Sequence, residues 1–177
     1  TSLPDAISGR PFRLDSFLYK MAYLEGNILG APLVIVGSVV ITFVFMGAVL
    51  HATGGGQFFS NLSAALFGGS RGGSAKIAVT ASGLFGAISG SAVANVISTG
   101  MITIPMSRKA GYKAETAAGL EAVASTGGQL VPPVMGAAAF LMAATLKVEY
   151  SVVVLAALVP SFLYYLALYL QVDLIAA

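Results

Sequence analysis

Two short polar stretches interrupt long uncharged runs of this chain, and they hold its best candidates for binding chemistry. The first covers residues 89–95 (SGSAVAN) and the second covers residues 125–133 (STGGQLVPP). Side-chain oxygens and backbone carbonyls freed by a turn are ligands for hard cations such as Na⁺. A helix that starts just after the first stretch would offer unpaired N–H groups to a carboxylate. The two stretches therefore predict ion and anion binding without covalent catalysis.

The groups that could bind differ between the two stretches. In the first, side-chain oxygens are carried by Ser89, Ser91 and Asn95. In the second, a hydroxyl, an amide and exposed carbonyls are carried by Thr126, Gly127, Gly128 and Gln129. A purely structural interpretation stays open at this point. Gly86 and Gly90 form a small-xxx-small pair that would let helices pack closely, and the second stretch could be a proline-kinked helix.

The composition is that of a membrane protein. The chain is 57% hydrophobic and 9% charged, whereas soluble domains average about 45–50% apolar and about 25% charged residues. Four runs without Asp, Glu, Lys or Arg are each long enough for a crossing of about 20 residues. They lie between Glu25 and Arg71, Lys76 and Arg108, Glu121 and Lys147, and Glu149 and Asp173. We therefore predict an all-α integral membrane protein.

The residue types also argue against other function classes. The chain has no Cys and one His, His51, so we expect no disulfide and no metal other than Na⁺. Residues 68–72 match the nucleophile-elbow pattern G-x-S-x-G, but no strand precedes them and His51 is the only candidate base, so we predict no enzyme. The basic residues near position 110 have no interleaved aromatics suited to nucleic acid, which favours membrane lipid as a partner.

Basic residues flank residues 77–107 on both sides and indicate the topology of this run. Arg71 and Lys76 precede it, and Arg108, Lys109 and Lys113 follow it. The positive-inside rule places both flanks in the cytoplasm, yet the run is too short for two crossings, which need about 40 residues. We therefore predict a re-entrant helical hairpin whose tip, near residues 89–91, reaches the middle of the membrane.

The other elements are predicted from hydropathy and from the positions of glycine and proline. A break between Thr126 and Pro133 is expected because Gly-Gly and two prolines disfavour continuous helix. The predicted elements are an extracytoplasmic loop with an amphipathic helix (1–31), a transmembrane helix (32–52), an interfacial helix (57–67), a broken transmembrane helix (114–146) and a last transmembrane helix (150–172).

Two acidic residues at the start of the broken helix offer an alternative to Na⁺ coupling. Glu115 and Glu121 lie near the predicted cytoplasmic interface, where acidic side chains are usually solvated, and either could carry protons. Glu121 is the better candidate because it lies two helical turns deeper than Lys113. A further alternative is a membrane scaffold that holds a partner complex and transports nothing.

The sequence motifs resemble those of a known family. Residues 83–95 (GLFGAISGSAVAN), Ile104-Pro105, Gly111-Tyr112 and residues 125–136 (STGGQLVPPVMG) are similar to the large membrane subunit of TRAP transporters, the tripartite ATP-independent periplasmic transporters. Residues 133–140 (PVMGAAAF) resemble the subgroup in which the small and large membrane subunits are fused and work with a TAXI-type binding protein. The resemblance covers most of the chain from about Leu18 onward.

This resemblance implies a fold and a set of site residues. The fold would be one of two inverted ion-transporter-superfamily repeats, with a re-entrant hairpin and a broken transmembrane helix. Transport would follow an elevator mechanism driven by a Na⁺ gradient. Carried over by position, the implied ion-binding residues are Ser89, Gly90, Ser91, Asn95, Thr126, Gly127 and Gly128. The implied substrate-binding residues are Ser91, Ala92, Asn95, Gln129 and Pro132.

The resemblance also implies partners and a location. A periplasmic substrate-binding protein would deliver organic acids, and a small membrane subunit or its fused equivalent would accompany the permease. The remaining repeat, with the second hairpin and the second Na⁺ site, would lie outside this chain. The location would be the cytoplasmic (inner) membrane of a bacterium or archaeon, with several crossings.

Overall fold

In the computed structural model, every regular element of the described residues is helical, which confirms the predicted all-α class. The structure describes residues 13–23 and 30–176. A π-helical segment at Val36–Val40 joins the second helix to the third. The helices are α1 (Leu14–Tyr23), α2 (Ala31–Ile35), α3 (Ile41–Ala52), α4 (Gly55–Phe67), α5 (Gly73–Ser89), α6 (Ala92–Lys109), α7 (Ala114–Gly128), α8 (Ala137–Leu146) and α9 (Tyr150–Ile175).

The described part of the predicted extracytoplasmic segment is the amphipathic helix α1. Its apolar residues Phe17 and Leu18 are exposed, as a helix on a membrane surface requires. Arg13 Nη2 lies 2.8 Å from Asp15 Oδ2, and this guanidinium lowers the pKa of the Asp15 carboxyl. The rest of the predicted segment, residues 1–12 and 24–29, lies outside the described residues.

Two helical stretches of the described chain are long and apolar enough to cross a membrane. They are Leu33–Ala52, with 20 residues, and Tyr150–Ile175, with 26 residues. The first runs through α2, the π-helical segment and α3, where the transmembrane helix at 32–52 was predicted. After α3, Gly54 has a φ of +85°, a left-handed conformation that glycine adopts without steric cost. Helix α4 then begins at Gly55, two residues before the predicted start.

Helices α4, α5, α6 and α7 pack most densely against each other and form the centre of the fold. Small residues allow this packing. A Cβ on Gly56 would lie 2.5 Å from the Ser98 carbonyl oxygen, so only glycine lets α4 approach α6 this closely. Helix α4 buries Ser60 and exposes Phe58. Its exposed face carries the apolar Phe58, Leu62 and Leu66 beside the polar Gln57 and Asn61, a mixture that is typical of an interfacial helix.

Helices α5 and α6 form an antiparallel hairpin around Gly90. Ser82 Oγ lies 3.0 Å from Thr99 Oγ1, so residues at nearly equal distances from the tip face each other. The helices begin at Gly73 and end at Lys109, so both arms extend beyond the predicted run at 77–107. The two ends of the hairpin therefore lie on one side of the fold, with the basic residues that flank them.

Helix α9 packs along α5 and α7 and starts from the opposite end. Lys76 Nζ lies 2.7 Å from Asp173 Oδ1 near the open end of the hairpin. Further along, a Cβ on Gly83 would lie 3.1 Å from the ring of Tyr165. The Tyr165 hydroxyl donates to the Ala124 carbonyl of α7 at 2.7 Å. These contacts fasten the second half of α9 to the hairpin, and α9 extends past the tip.

Polar side chains lie inside the central helices and apolar ones lie outside. On α6, Asn95 and Thr99 are fully buried, whereas Val93 is 72% exposed and Met101 is 63% exposed. In water this arrangement would be unfavourable. In lipid an apolar exterior carries no penalty, and hydrogen bonds with close packing hold helices together. The pattern agrees with an all-α membrane protein.

Candidate functional site

The hairpin tip is a two-residue break between α5 and α6. Gly90 ends α5 with a φ of +62°. Ser91 is the N-cap of α6, and its Oγ accepts a hydrogen bond from the Ala94 N–H at 3.3 Å, which satisfies one of the unpaired donors at the start of the helix. Ser89 is buried, and its Oγ lies 3.5 Å from the Ser91 amide nitrogen. The predicted serine ligands thus lie on either side of Gly90 at the tip, and Ala92 is the first residue of α6.

The second break begins later than the sequence predicted. Helix α7 continues to Gly128, and the non-helical segment covers residues 129–136 instead of Thr126 to Pro133. The carbonyls of residues 126, 127 and 128 were expected to be exposed. Each of them accepts a backbone N–H instead, from Gln129, Leu130 and Val131 at 3.2, 2.9 and 3.2 Å. Their lone pairs are therefore partly used by the last turn of the helix.

Close packing explains why α7 continues through its two glycines. A Cβ on Gly127 would lie 2.2 Å from the Tyr164 ring, and a Cβ on Gly128 would lie 2.7 Å from Gly86 Cα. Gly127 therefore faces α9 and Gly128 faces α5. The exposed Thr126 hydroxyl donates to the Ala122 carbonyl of its own helix at 2.8 Å. The structure thus does not bring Thr126 and Gly127 to the hairpin tip, contrary to the predicted ligand set.

The two breaks nevertheless contact each other. The Val134 N–H donates to the Ala87 carbonyl at 3.2 Å. A Cβ on Gly90 would lie 2.3 Å from the Met135 carbonyl oxygen, so the second break lies directly against the tip. Gln129 and Pro132, two predicted substrate contacts, are partly exposed at the start of this second break.

Asn95 is the predicted ligand at the centre of this junction. It is fully buried, and its Nδ2 donates to the Ser82 carbonyl at 2.7 Å. The same nitrogen would lie 2.8 Å from a Cβ on Gly86 and 3.1 Å from one on Gly128. The Asn95 amide is therefore held in place where α5 and α7 contact each other at these two glycines. Its Oδ1 lies 3.1 Å from Thr99 Oγ1.

Below Asn95, the core of the hairpin holds an acidic side chain. Glu121 is fully buried, although an acid at this position was expected to be solvated. Four hydroxyls lie within hydrogen-bond distance of its carboxyl. Ser82, Thr99 and Ser125 lie 2.6, 2.6 and 3.1 Å from Oε1, and Thr103 lies 2.6 Å from Oε2. Glu115, the other predicted proton carrier, is exposed on the first turn of α7.

Sequence reasoning missed the hydroxyls around Glu121, although the sequence carries a signal for them. Within an uncharged run, polar residues recur every four positions on α6 and so share one helix face. All of them are buried: Asn95, Thr99, Thr103 and Ser107. A polar stripe on an otherwise apolar helix in lipid indicates a face that is turned towards other helices.

Comparison with known proteins gives a family match for most of the chain. The family model described as "Tripartite ATP-independent periplasmic transporter, DctM component" matches residues 23–177. No solved structure matches the chain.

Three curated relatives match about half of the chain. They are "Uncharacterized protein YgiK" of Salmonella typhimurium (35% identical over 91 residues), "C4-dicarboxylate TRAP transporter large permease protein DctM" of Vibrio cholerae (38% over 94 residues) and "2,3-diketo-L-gulonate TRAP transporter large permease protein YiaN" of Escherichia coli (33% over 91 residues). The matches cover 51%, 52% and 51% of this chain, and each covers 21% of the relative. The chain therefore corresponds to a minor part of each relative's length.

Proposed function

Since the chain belongs to the DctM component family of the tripartite ATP-independent periplasmic transporters, we propose that it forms the first repeat of a permease that imports organic acids. The members of this family are transporters. Two of the relatives are named for C4-dicarboxylate and for 2,3-diketo-L-gulonate, and both of these solutes are carboxylates. A carboxylate is therefore the solute class that we propose for the complete protein.

The contact between the two breaks is the observation that carries this proposal. In lipid, non-helical backbone is tolerated where it is buried in protein or lines a cavity. Here Gly90 of the tip meets the Met135 carbonyl, and the buried Asn95 packs against Gly86 and Gly128, about one helical turn from the tip. In secondary transporters, breaks of this kind hold the coupling ion and the substrate.

Na⁺ is the coupling ion that the tip residues suit best. The available groups are uncharged oxygens on Ser89, Ser91 and Asn95, and hard cations prefer oxygen ligands. Gly90 and Gly128 would contribute because they have no side chain, so the backbone can approach the ion closely. The substrate carboxylate would lie near Ser91, Ala92, Gln129 and Pro132, where the start of α6 offers a positive dipole end.

The proposed transport mechanism uses a re-entrant hairpin and an elevator motion. Gly83 lies against Tyr165 of α9, and at 1.5 Å per residue Gly90 is about 10 Å further along. The same distance along α9 from Tyr165 reaches about residue 158, roughly a third of the way along that helix. Since α9 is itself long enough to span a membrane, this position supports a tip inside the membrane. The densely packed unit of α4 to α7 would move as one body, while α3 would belong to the static part.

The proposed partners follow from the family. A periplasmic substrate-binding protein would deliver the solute, and a small membrane subunit or a fused equivalent would accompany the permease. The remaining repeat of the same permease would complete the pocket. The complete protein would lie in the cytoplasmic membrane of a bacterium or archaeon, in contact with lipid.

Uptake into proteoliposomes that hold the complete permease and its binding protein tests the function. Replacing Na⁺ with choline should abolish uptake of a radioactive dicarboxylate, and uptake that continues undiminished would exclude Na⁺ coupling. Asn95→Ala and Ser91→Ala should each lower uptake strongly, whereas a non-transporting scaffold would leave uptake by its partners unchanged. Ser74→Ala, at the open end of the hairpin, is the matched control and should keep uptake.

Proton coupling is the second candidate, and the burial of Glu121 favours it. A titratable side chain inside a membrane protein often belongs to an ion or proton pathway. If protons drive transport, uptake should follow an imposed pH gradient in choline medium. Glu121→Gln should then abolish uptake, whereas Glu115→Gln should not, because Glu115 is exposed.

A further inference from the structure

The hydroxyl of Thr99 joins the buried acid to the hairpin tip. Thr99 Oγ1 lies 2.6 Å from Glu121 Oε1 and 3.1 Å from Asn95 Oδ1. It also lies 2.9 Å from the Asn95 carbonyl oxygen. A hydroxyl has a single hydrogen to donate. Whether Thr99 donates to Asn95 therefore depends on whether Glu121 takes that hydrogen.

An ionised Glu121 takes the hydrogen of Thr99. A carboxylate is only an acceptor, and hydrogen bonds to a charged acceptor are stronger than those between neutral groups. Thr99 then donates to Glu121, and Asn95 Oδ1 keeps both lone pairs. The negative charge also lies one side chain, Thr99, away from Asn95, where it attracts a cation.

A protonated Glu121 reverses the direction of this hydrogen bond. Its O–H becomes a donor, and Thr99 Oγ1 can accept from it at 2.6 Å. The hydrogen of Thr99 is then released to its other acceptors, the Asn95 carbonyl oxygen at 2.9 Å and Asn95 Oδ1 at 3.1 Å. The carboxyl charge has disappeared, and Asn95 Oδ1 has gained a donor that competes with a cation. Both changes make the tip a weaker cation site.

We propose that Glu121 is a positioning residue for the ion site and acts on it through Thr99. Ionised Glu121 favours Na⁺ at Asn95, and protonated Glu121 disfavours it. Binding of a proton and binding of Na⁺ thereby oppose each other, so Na⁺ affinity falls as pH falls. The inference rests on the proposed function, because it takes Asn95 as an Na⁺ ligand.

Other titratable groups face the same helices and must be separated from Glu121. On α5, Lys76 pairs with Asp173 of α9 at 2.7 Å. On α9, the Tyr165 hydroxyl donates to the Ala124 carbonyl. On α3, His51 Nδ1 lies 2.8 Å from Ser98 Oγ, next to Thr99. The remaining titratable groups on these helices are Glu115, Arg108, Lys109, Tyr150, Tyr164 and Tyr169.

Equilibrium binding of radioactive Na⁺ to the complete permease in lipid nanodiscs tests this inference. Glu121→Gln cannot ionise, so we expect Na⁺ binding at neutral pH to weaken by about fivefold or more and to lose its pH dependence. In a Thr99→Val background, Glu121→Gln should have a clearly smaller effect. Ser125→Ala should keep the full effect, because Ser125 contacts Glu121 without contacting Asn95. His51→Gln should keep the pH dependence of the wild type.

Two results would overturn the inference, and a third would overturn the proposed function. Equal effects of Glu121→Gln with and without Thr99 would overturn the inference, and so would a wild-type affinity that stays constant from neutral pH down to the lowest pH at which the permease remains folded. If Glu121→Gln does not fold, the pH dependence of the wild type and its clear reduction in Thr99→Val give the same answer. A wild-type permease that binds no Na⁺ would instead overturn the proposed function, and this inference with it.

Discussion

Replacing Gly128 with alanine should force α7 away from the hairpin. The added Cβ would lie 2.7 Å from Gly86 Cα and 3.1 Å from the Ser82 carbonyl oxygen. Both neighbours are backbone atoms, so neither can rotate away as a side chain would. Carbon atoms pack best at about 3.5–4.0 Å, and the two helices must therefore separate by about 1 Å.

The expected loss of stability follows from three contributions. Overpacking of this kind costs about 1–3 kcal/mol. The new Cβ would also lie 3.1 Å from Asn95 Nδ2, so its hydrogen bond to the Ser82 carbonyl should weaken, at a cost of about 1 kcal/mol. Alanine gains up to about 1 kcal/mol of helix propensity over glycine. The net effect should be a destabilisation of about 1–3 kcal/mol.

Gly119→Ala is the matched control on the same helix. Nothing lies within 4 Å of a Cβ at Gly119, so this change should be neutral or stabilise the protein by up to about 1 kcal/mol. The midpoint of thermal aggregation of the purified permease gives the comparison, and Na⁺-dependent uptake per folded molecule reports on Asn95. A Gly128→Ala midpoint equal to or above that of Gly119→Ala would refute the close approach of α5 and α7.

Two further predictions concern the attachment of α9. Tyr165→Phe removes the bond to the Ala124 carbonyl at 2.7 Å and should destabilise the permease by about 1 kcal/mol. Tyr164→Phe should have a smaller effect because its bond to α7 is exposed, and equal effects would contradict this. For Lys76 and Asp173, with Asp173 48% exposed, a double-mutant cycle with Lys76→Met and Asp173→Asn should give a coupling of about 1 kcal/mol or less. A coupling several times larger would show that the pair is shielded from solvent.

The hairpin tip could be located from sequence because its signals are local. Gly90 adopts a left-handed conformation that favours glycine, and Ser91 caps the helix that follows it. The preference for each residue type follows from the local backbone conformation and depends on no contact with another part of the chain. The basic flanks then indicated that the two ends lie together.

The end of α7 could not be located in the same way, because tertiary contacts decide it. Local propensity places the break at Gly127 and Gly128, since glycine weakens a helix. In the fold, these glycines instead receive the Tyr164 ring and the Gly86 backbone. Their partners lie about 40 residues away on either side, and the sequence gives no sign of the pairing.

The contacts of Glu121 also could not be predicted from the local sequence. Its depth below Lys113 could be counted in helical turns, but its direction depends on where α5 and α6 lie. Ser82 and Thr99, the hydroxyls nearest to its Oε1, come from those two helices. The four-residue spacing of polar residues on α6 would have identified one side of this cluster and left the others unknown.

The same hydrogen bonds hold the central helices together and connect Glu121 to the tip. In lipid, apolar contact gives little preference for one helix arrangement over another, so polar groups supply much of the specificity. Ser82 of α5, Thr99 of α6 and Ser125 of α7 all meet at one carboxyl. In our proposal, a change in the protonation of this carboxyl alters the direction of a hydrogen bond and requires no apolar side chain to move. The packing of the hairpin can therefore persist in both states, whereas a core held by an ion pair would lose its main attraction when the acid is protonated.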